Sequence, residues 1–235
     1  MNDLLIKKII ESEECTLETF FQEKGICTFL NPVSYLEAVK NESVFADFDY
    51  VFADGGLLAF MIKLIYKKKV IRRSFDMTSM AKTIFEYASD NGKSVYFIGT
   101  TQDIIEKSVA MIINDNPSLQ VCGFRNGYFS SFEERKNALA EIISMSPDIL
   151  VVGMGILNQE EFLLEAKKSG FNGLGFSCGG FLHQYMMRGS QYYPKWINRM
   201  NLRFFYRMYK ESYTIKRYAK AFFLFPVVFL KRKFA

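Results

Sequence analysis

The sequence has few of the residues that most often bind metals or form cross-links. Its 235 residues include one histidine, His183, which excludes sites built from several histidines and leaves one residue for any histidine-dependent triad. The four cysteines form no CxxC pair and have no short regular spacing: Cys15, Cys27, Cys122 and Cys178. Neither a zinc site nor a disulfide framework is predicted, and this composition favours a reducing cytosol.

Long apolar runs are also lacking. No run reaches the length of about 20 residues that a transmembrane helix needs. The first residues, MNDLLIKKIIESEE, have acids close behind a short apolar stretch and no small-residue cleavage site, which does not predict a signal peptide. A chain of 235 residues can bury a full core as one large domain, or as one domain with an appendage.

Acidic residues are almost absent from the last part of the chain. From Arg188 onward there are 12 Lys and Arg residues but one acid, Glu211, whereas the preceding part has 18 basic and 24 acidic residues. The basic part also has 14 aromatic residues, and such mixtures bind membrane surfaces or nucleic acid. An acidic body would repel a phosphate backbone. We therefore expect a body, residues 1–191, and a membrane-associating tail, residues 192–235. The alternative is that the tail packs on its own body or on a sister subunit.

What the body does have is a regular alternation of apolar strands and amphipathic helices. Strands are predicted at 25–30, in the run from Phe45 that ends at Asp54, and at 93–99, 117–121, 149–152 and 173–177. Helices are predicted between them, and a long helix at about 197–220, followed by an apolar run to 230 that Pro226 interrupts. This spacing is typical of an α/β fold with a mostly parallel sheet and helices on both faces.

The first predicted site lies where two of these strands end. The run FADFDYVFADGG stops at Asp54, followed by two glycines, and Asn31 ends the strand before it. Ligands of open α/β sheets bind at the carboxyl ends of the strands, and glycines let a substrate come close. Asp54 is therefore the leading candidate for a general base. The alternative is that Asp54 only caps the next helix.

Three further strand ends carry glycine-rich turns. Gly99-Thr100 opens a helix in the manner of a phosphate cradle, Gly153-x-Gly155 is a second such turn, and Gly179-Gly180 is a third. The Gly153 turn lacks the third glycine of the dinucleotide fingerprint and lies late in the chain, so no nicotinamide cofactor is predicted. Asp47-x-Asp49 imitates a metal-binding DxD motif but lies upstream of the strand end, and we interpret it as structural. No metal or cofactor is predicted.

Taken in order, these residues resemble the WecG/TagA/CpsF glycosyltransferase family from about Gly25 to Tyr218. The resemblance depends on an ordered set rather than on one motif: Asn31, Ala53-Asp54-Gly55, Arg72 with Asp76, Gly127-Tyr128-Phe129, Pro147-Asp148, Gly153-x-Gly155, Gln159-Glu160, Gly179-Gly180, Pro194-x-Trp196, Tyr206-Arg207 and Arg217-Tyr218.

The resemblance implies a Rossmann-like core, residues 1–191, with a C-terminal appendage of the GT-E type, residues 192–235. It implies inverting, metal-independent transfer of a hexose-type sugar from a UDP-sugar to an undecaprenyl-diphosphate-linked saccharide in bacterial surface polysaccharide synthesis, at the inner face of the cytoplasmic membrane. A homo-oligomer remains open. The alternative is a non-catalytic nucleotide-sugar-binding protein at the membrane surface.

Roles are implied for individual residues. Asp54 would be the base and Asn31 would orient the acceptor, while Arg207 and Arg217 of the appendage would contact the diphosphate. Donor binding would involve Gly99, Thr100, Tyr128, Gly153, Gly155, Gln159, Glu160 and His183. Several positions depart from the family pattern. His183 stands where aspartate is usual and Asn158 where lysine is usual. In the tail, Tyr192-Tyr193 stands for Arg-Ala, Arg203-Phe204 for Glu-Trp and Ser212-Tyr213 for Pro-Arg. For His183 the alternative is a helix-start histidine that binds backbone.

Overall fold

A computed structural model describes residues 3–189, 197, 206, 208, 209 and 215–234. Its centre is a six-stranded sheet in the order β2-β1-β6-β5-β3-β4, and every neighbouring pair in it is parallel. The strands are β1 (Gly25–Leu30), β2 (Tyr50–Ala53), β3 (Ser94–Gly99), β4 (Gln120–Arg125), β5 (Ile149–Gly153) and β6 (Leu174–Ser177). The predicted α/β class with a parallel sheet is confirmed.

Eleven helices of the described residues surround this sheet. They are α1 (Leu4–Glu13), α2 (Leu17–Glu23), α3 (Pro32–Ala38), α4 (Glu42–Ala46), α5 (Gly56–Tyr66), α6 (Met80–Asp90), α7 (Gln102–Asp115), α8 (Phe132–Ser144), α9 (Asn158–Lys168), α10 (Phe181–Arg188) and α11 (Ile215–Phe234).

The helices bury the sheet on both faces. Alternate residues of β5 point to opposite sides: Leu150 and Val152 join the core under α1, α3, α4, α5, α8, α9 and α11, whereas Ile149 and Val151 join the core under α2, α6, α7 and α10. Successive side chains of a strand point to opposite faces, so a doubly covered strand is apolar throughout. Neighbouring strands β1 and β6 send their following helices, α3 and α10, to opposite faces, which opens a crevice between their carboxyl ends.

Two predicted strands differ from the structure. The run from Phe45 to Asp54 is not one strand, because residues 42–46 form α4 and only Tyr50–Ala53 pairs with β1. Asp47 and Asp49 therefore precede the strand instead of sharing one of its faces. The strand predicted at 117–121 lies later, at Gln120–Arg125.

The last described helix, α11, differs most from expectation. It runs without a break from Ile215 through Pro226 to Phe234, whereas the apolar run after residue 220 was expected to be interrupted there. Its inner face packs into the main core through Tyr218, Ala221, Phe225 and Phe229. This packing outweighs the hydrogen bond that proline removes from the helix interior. Of the long helix predicted at about 197–220, most lies outside the described residues.

The end of α11 is held by an ionic contact with the start of the chain. Arg232 donates from Nε to Asp3 Oδ2 at 3.0 Å and also pairs with Glu42. Asp3 is fully buried, caps α1 and accepts from the hydroxyl of Tyr35. Burial and the nearby Asp3 carboxylate raise the pKa of that hydroxyl. In the part of the chain that the structure describes, no helix combines the length and apolar character needed to span a bilayer.

Candidate active site

Asp54 lies directly after β2, and the backbone around it is fixed on two sides. Its N–H donates to the carbonyl of Leu30 in β1 at 2.7 Å, and the N–H of Arg73 donates to the carbonyl of Ala53 at 2.9 Å. The N-cap of α5 is Gly55, at φ +102°, so the alternative that Asp54 is the helix cap is wrong. Its carboxylate lines a cavity instead.

Arg72 links the carboxylates of this corner. Its Nε lies 3.7 Å from Asp54 Oδ1, and its Nη2 lies 3.1 Å from Asp76 Oδ2. Ser74 contacts both Arg72 and Asp76 through its hydroxyl. All four side chains line the cavity. A guanidinium with five fixed donors can orient a carboxylate and still present N–H groups to an anionic ligand.

Asn31 has a structural task as well as a place in the cavity. Its Oδ1 accepts from the N–H groups of Val33 and Ser34, and the Ser34 hydroxyl accepts from the N–H of Asn31. This capping box begins α3 at Pro32. The side-chain carbonyl is engaged in the cap, so the amide NH₂ is the group available to donate to a ligand.

A buried network of hydrogen bonds holds the side chain of Gln159 in place. Gln159 donates to Glu160 Oε1 at 2.8 Å and accepts from the N–H of Gly179 at 3.2 Å. The same Glu160 carboxylate accepts from the Thr28 hydroxyl and from the N–H of Leu157, each at 2.8 Å. Burial raises the pKa of the Glu160 carboxyl, and these hydrogen bonds oppose the rise. Glu160 therefore holds Gln159 in place and does not itself line the cavity.

The cavity has a volume of about 330 Å³ and lies at the carboxyl ends of β2, β1 and β6. Its polar wall combines Asn31, Ser34, Asp54, Arg72, Ser74, Asp76, Gln159, Ser177 and Gln184, and its apolar wall includes Phe29, Leu57, Phe75, Ile156 and Phe181. Tyr218 and Phe222 of α11 complete the lining. Arg217 lies beside this wall, with its guanidinium carbon 5.6 Å from the Tyr218 ring centroid.

The other predicted donor residues do not line this cavity. Gly99 and Gly153 end the paired strands β3 and β5, where the N–H of Thr100 donates to the carbonyl of Gly153 at 3.1 Å. A Cβ on Gly99 would lie 2.3 Å from that carbonyl oxygen, so the backbones can approach only because the residue is glycine. Gly127 follows β4 and donates to the Thr100 carbonyl at 3.0 Å.

Three further predicted donor residues also lie outside the cavity. Tyr128 projects from the loop after β4 with 67% of its surface exposed. Gly155 has φ +82° in the turn before α9, and His183 is half-buried in α10. Arg207 lies outside the described residues. The roles of these residues in donor binding stay predictions.

Two aspartates that the sequence singled out are structural, at the end of the sheet opposite the cavity. Asp49 pairs with Lys167 at 2.7 Å and accepts from the N–H of Ile26. Asp148 accepts from the N–H and hydroxyl of Ser94, both at 3.0 Å, at the start of β3. Among the described residues, no cluster of three or more His, Cys, Asp or Glu side chains could hold a metal ion.

Several cavity residues carry no signal in a single sequence. Ser177 and Thr28 form a 2.8 Å hydrogen bond across 149 positions of the chain, and Ser74 looks like a loop serine. Phe222 belongs to an apolar helix, where no pattern shows that it reaches the cavity. Only the ordered Arg72–Asp76 pair could have drawn attention to Ser74 between them.

The family model for the glycosyl transferase WecG/TagA/CpsF family matches residues 8–235. The chain belongs to this family. It is a glycosyltransferase, and the cavity around Asp54 is its candidate active site.

Named relatives within the WecG/TagA/CpsF family differ in the sugar that they transfer. A UDP-Gal:alpha-D-GlcNAc-diphosphoundecaprenol beta-1,4-galactosyltransferase of Shigella boydii is 35% identical over 213 residues, covering 91% of this chain and 85% of the relative. An N-acetylglucosaminyldiphosphoundecaprenol N-acetyl-beta-D-mannosaminyltransferase of Bacillus subtilis is 22% identical over 197 residues, covering 82% and 74%. One of the same name from Bacillus spizizenii is 23% identical over 218 residues, covering 87% and 82%.

Proposed function

We propose that this glycosyltransferase transfers galactose from UDP-galactose to the 4-hydroxyl of GlcNAc-diphospho-undecaprenol, with Asp54 as the base. The observation that carries the chemistry is the Asp54 carboxylate in a cavity, held 3.7 Å from the guanidinium of Arg72. The choice of galactose is supported by the galactosyltransferase relative, which is 35% identical over 91% of the chain, against 22% for a mannosaminyl relative.

In the proposed reaction one displacement inverts the anomeric carbon. The acceptor oxygen forms a bond to that carbon while the bond to the UDP oxygen breaks, and the acceptor proton passes to Asp54. The electron pair of the broken bond leaves with UDP. An α-linked UDP-sugar then yields a β-linkage, the configuration in the names of the relatives. A positioned base typically contributes two to four orders of magnitude in rate.

The remaining cavity side chains would position substrates and stabilise charge. Arg72 keeps Asp54 oriented, and its guanidinium can also stabilise negative charge on the leaving diphosphate. The amide NH₂ of Asn31 would donate to the acceptor sugar, and Gln159 would contact the donor. We assign the donor diphosphate to the backbone N–H groups at the starts of α7 and α9, the helices that follow Gly99 and Gly153, helped by the tail arginines.

Attachment to the membrane is part of this proposal, because a polyprenyl acceptor is anchored in a bilayer. The outward face of α11 has an exposed apolar stripe at helical spacing, formed by Phe223, Val227, Leu230 and Phe234. Exposed lysines, including Lys216, Lys220 and Lys231, flank the stripe. An apolar stripe with basic flanks is typical of helices that lie in the interface of anionic membranes. We expect the protein at the inner face of the cytoplasmic membrane.

The test is direct. Purified protein is incubated with UDP-galactose, UDP-GlcNAc, UDP-ManNAc or UDP-glucose and a GlcNAc-diphosphate monoester with a short lipid chain, and the products are analysed by mass spectrometry and NMR. We expect transfer from UDP-galactose to dominate and the product to be a β-1,4 disaccharide. Dominant transfer of another sugar would contradict the donor assignment. The protein could instead bind UDP-sugars without transferring sugar to this acceptor, to its lipid-linked form or to other lipid-linked saccharides. That result would favour the alternative of a non-catalytic nucleotide-sugar-binding protein.

A further inference from the structure

Helix α5, in the body of the protein, has an outer face with large apolar side chains. Phe60 is 57% exposed and Leu64 is 47% exposed, and their spacing of four residues places them on one face. Leu58 and Ile62 on the opposite face are fully buried in the core. About half of the surface of each of these two side chains is therefore left in water, where its apolar area contributes nothing to the stability of the fold.

The charge around this face has one sign. Residues 55–75 contain no Asp or Glu. Lys63 lies between the two apolar residues, and Lys67, Lys68 and Lys69 follow the helix; all four are exposed. Within the described residues, none of these lysines forms an ion pair with a carboxylate. The surface therefore combines exposed apolar groups with cations that are free to meet an external anion.

This surface lies beside the tail helix. In their first turns, Leu57 of α5 and Tyr218 of α11 line the same cavity. Towards their ends, the rings of Tyr66 and Phe229 are 5.8 Å apart, and Lys233 Nζ lies 4.6 Å from the centroid of the Tyr66 ring. α11 packs along α3, and its second half reaches Tyr66 at the end of α5, so the outer face of α5 adjoins α11.

We infer that the outer face of α5 is a second membrane-contact surface, inserted among anionic lipids next to α11. The inference rests on the proposed function, in which the acceptor is anchored in a bilayer. Phe60 and Leu64 would enter the interfacial region while the four lysines meet lipid headgroups. Because Leu57 and Tyr218 in the first turns of these helices line the cavity, binding through both helices would hold the cavity close to the lipid-linked diphosphate.

Charge complementarity favours a lipid surface over a second copy of this chain. In a symmetric dimer through this face, the lysines of the two copies would approach each other without acids between them, and like charges at close range repel. An anionic bilayer supplies both the apolar layer that Phe60 and Leu64 match and the negative charge that the lysines match.

The test compares paired serine variants in vesicle flotation. Phe60→Ser with Leu64→Ser removes the α5 surface, and Ile113→Ser with Phe132→Ser is the matched control, because both of those residues are exposed on α7 and α8. With phosphatidylglycerol-containing vesicles, we expect the α5 variant to lose about tenfold in partition coefficient, from the lost burial of two half-exposed side chains. We expect no change in the control.

A second measurement locates the contact directly. In a Trp196→Phe background, Phe60→Trp supplies a probe whose fluorescence brominated phosphatidylglycerol should quench in vesicles. Absence of quenching, or unchanged flotation of the α5 variant, would overturn the inference. If the wild-type protein is a dimer, the α5 variant is a monomer and the two float equally well with vesicles, the α5 face contacts a second copy of the chain instead.

Transfer to a water-soluble, short-chain acceptor separates this inference from the proposed function. We expect the α5 variant to keep wild-type transfer there, since neither residue lines the cavity. If the wild-type protein itself transfers no sugar to any acceptor, the proposed function fails whatever the vesicle result.

Discussion

The two halves of the sheet present different kinds of surface at their carboxyl edge. At β2, β1 and β6, ionisable and amide side chains converge on one cavity, among them Asp54, Arg72 and Gln159. At β5, β3 and β4, backbone lies against backbone: a Cβ on Gly127 would lie 2.9 Å from Gly99 Cα, and one on Gly99 would lie 2.3 Å from the Gly153 carbonyl oxygen.

The difference suggests that the two halves of the sheet edge have different chemical roles. Side chains provide acid–base chemistry because they can carry a proton and be oriented by neighbours. Backbone N–H groups at strand ends and helix starts bind phosphates without carrying charge. We therefore assign bond formation to the first half and donor phosphate binding to the second, and the predictions below test that assignment.

The largest effect is expected at Asp54. Asp54→Asn keeps the size of the side chain but removes the base, so kcat should fall by about two to four orders of magnitude. Affinity for UDP, measured by calorimetry, should stay within about twofold. Asp47→Asn is the matched control, because Asp47 is exposed and lies outside the cavity. Wild-type turnover in Asp54→Asn would remove Asp54 from the mechanism.

In the backbone half, Gly99→Ala should reduce stability and UDP affinity together. The new Cβ would collide with the Gly153 carbonyl at 2.3 Å, and we expect a loss of about 3 kcal/mol in the free energy of unfolding. Gly170→Ala, just after α9, is the control, because Gly170 also has positive φ but no atom within 4 Å of its Cβ and no predicted part in donor binding, so about 1 kcal/mol is expected from strain alone. Urea unfolding measures the stability of each variant, and titration with UDP measures its affinity. Equal losses in the two variants would show that collision at β3–β5 is unimportant.

Glu160 lies at the boundary between the halves, and its effect should be smaller. Glu160→Gln places an NH₂ group where the carboxylate now accepts three hydrogen bonds, from Thr28, Leu157 and Gln159. One donor then faces another donor, which costs about 1–3 kcal/mol. We expect kcat/KM to fall about tenfold as Gln159 loses its orientation. Glu161→Gln on the exposed side of α9 serves as the control. A purely structural role would lower the melting temperature and leave kcat/KM unchanged.

The smallest expected effect is that of chelation. In the proposed mechanism the leaving diphosphate is stabilised by Arg72, tail arginines and backbone N–H groups, so EDTA should leave turnover within about twofold of the untreated enzyme. Loss of activity that Mn²⁺ or Mg²⁺ restores would contradict this mechanism. Asp47 and Asp49 would then be substituted one at a time, although Asp49 already pairs with Lys167.

The fold and half of the site could be predicted because both depend on local patterns. Each apolar run that ends at Asn, Asp or Gly marked a strand end, and the carboxyl ends of parallel strands share one edge. The aromatic run at Phe45 was misassigned because short apolar segments have no period that separates helix from strand. Buried Phe45 and Phe48 satisfy either pattern.

Long-range pairings could not be predicted. The Thr28–Ser177 hydrogen bond joins β1 to β6, and one sequence does not show that these strands are neighbours. The continuity of α11 through Pro226 depends on packing of Phe225 and Phe229 against Tyr35, which no local propensity reports. Tertiary burial overrode the local preference in this helix.

The contact between Arg232 and Asp3 spans 229 positions of the chain. During synthesis it can therefore form only after α11 has left the ribosome. Domains form as the chain emerges, from the N-terminal part onward. The apolar patch around Tyr35 thus stays uncovered, and the cavity lacks its Tyr218 and Phe222 wall, until α11 has left the exit tunnel. Until then a nascent chain exposes an incomplete site, and we expect sugar transfer only after α11 has docked.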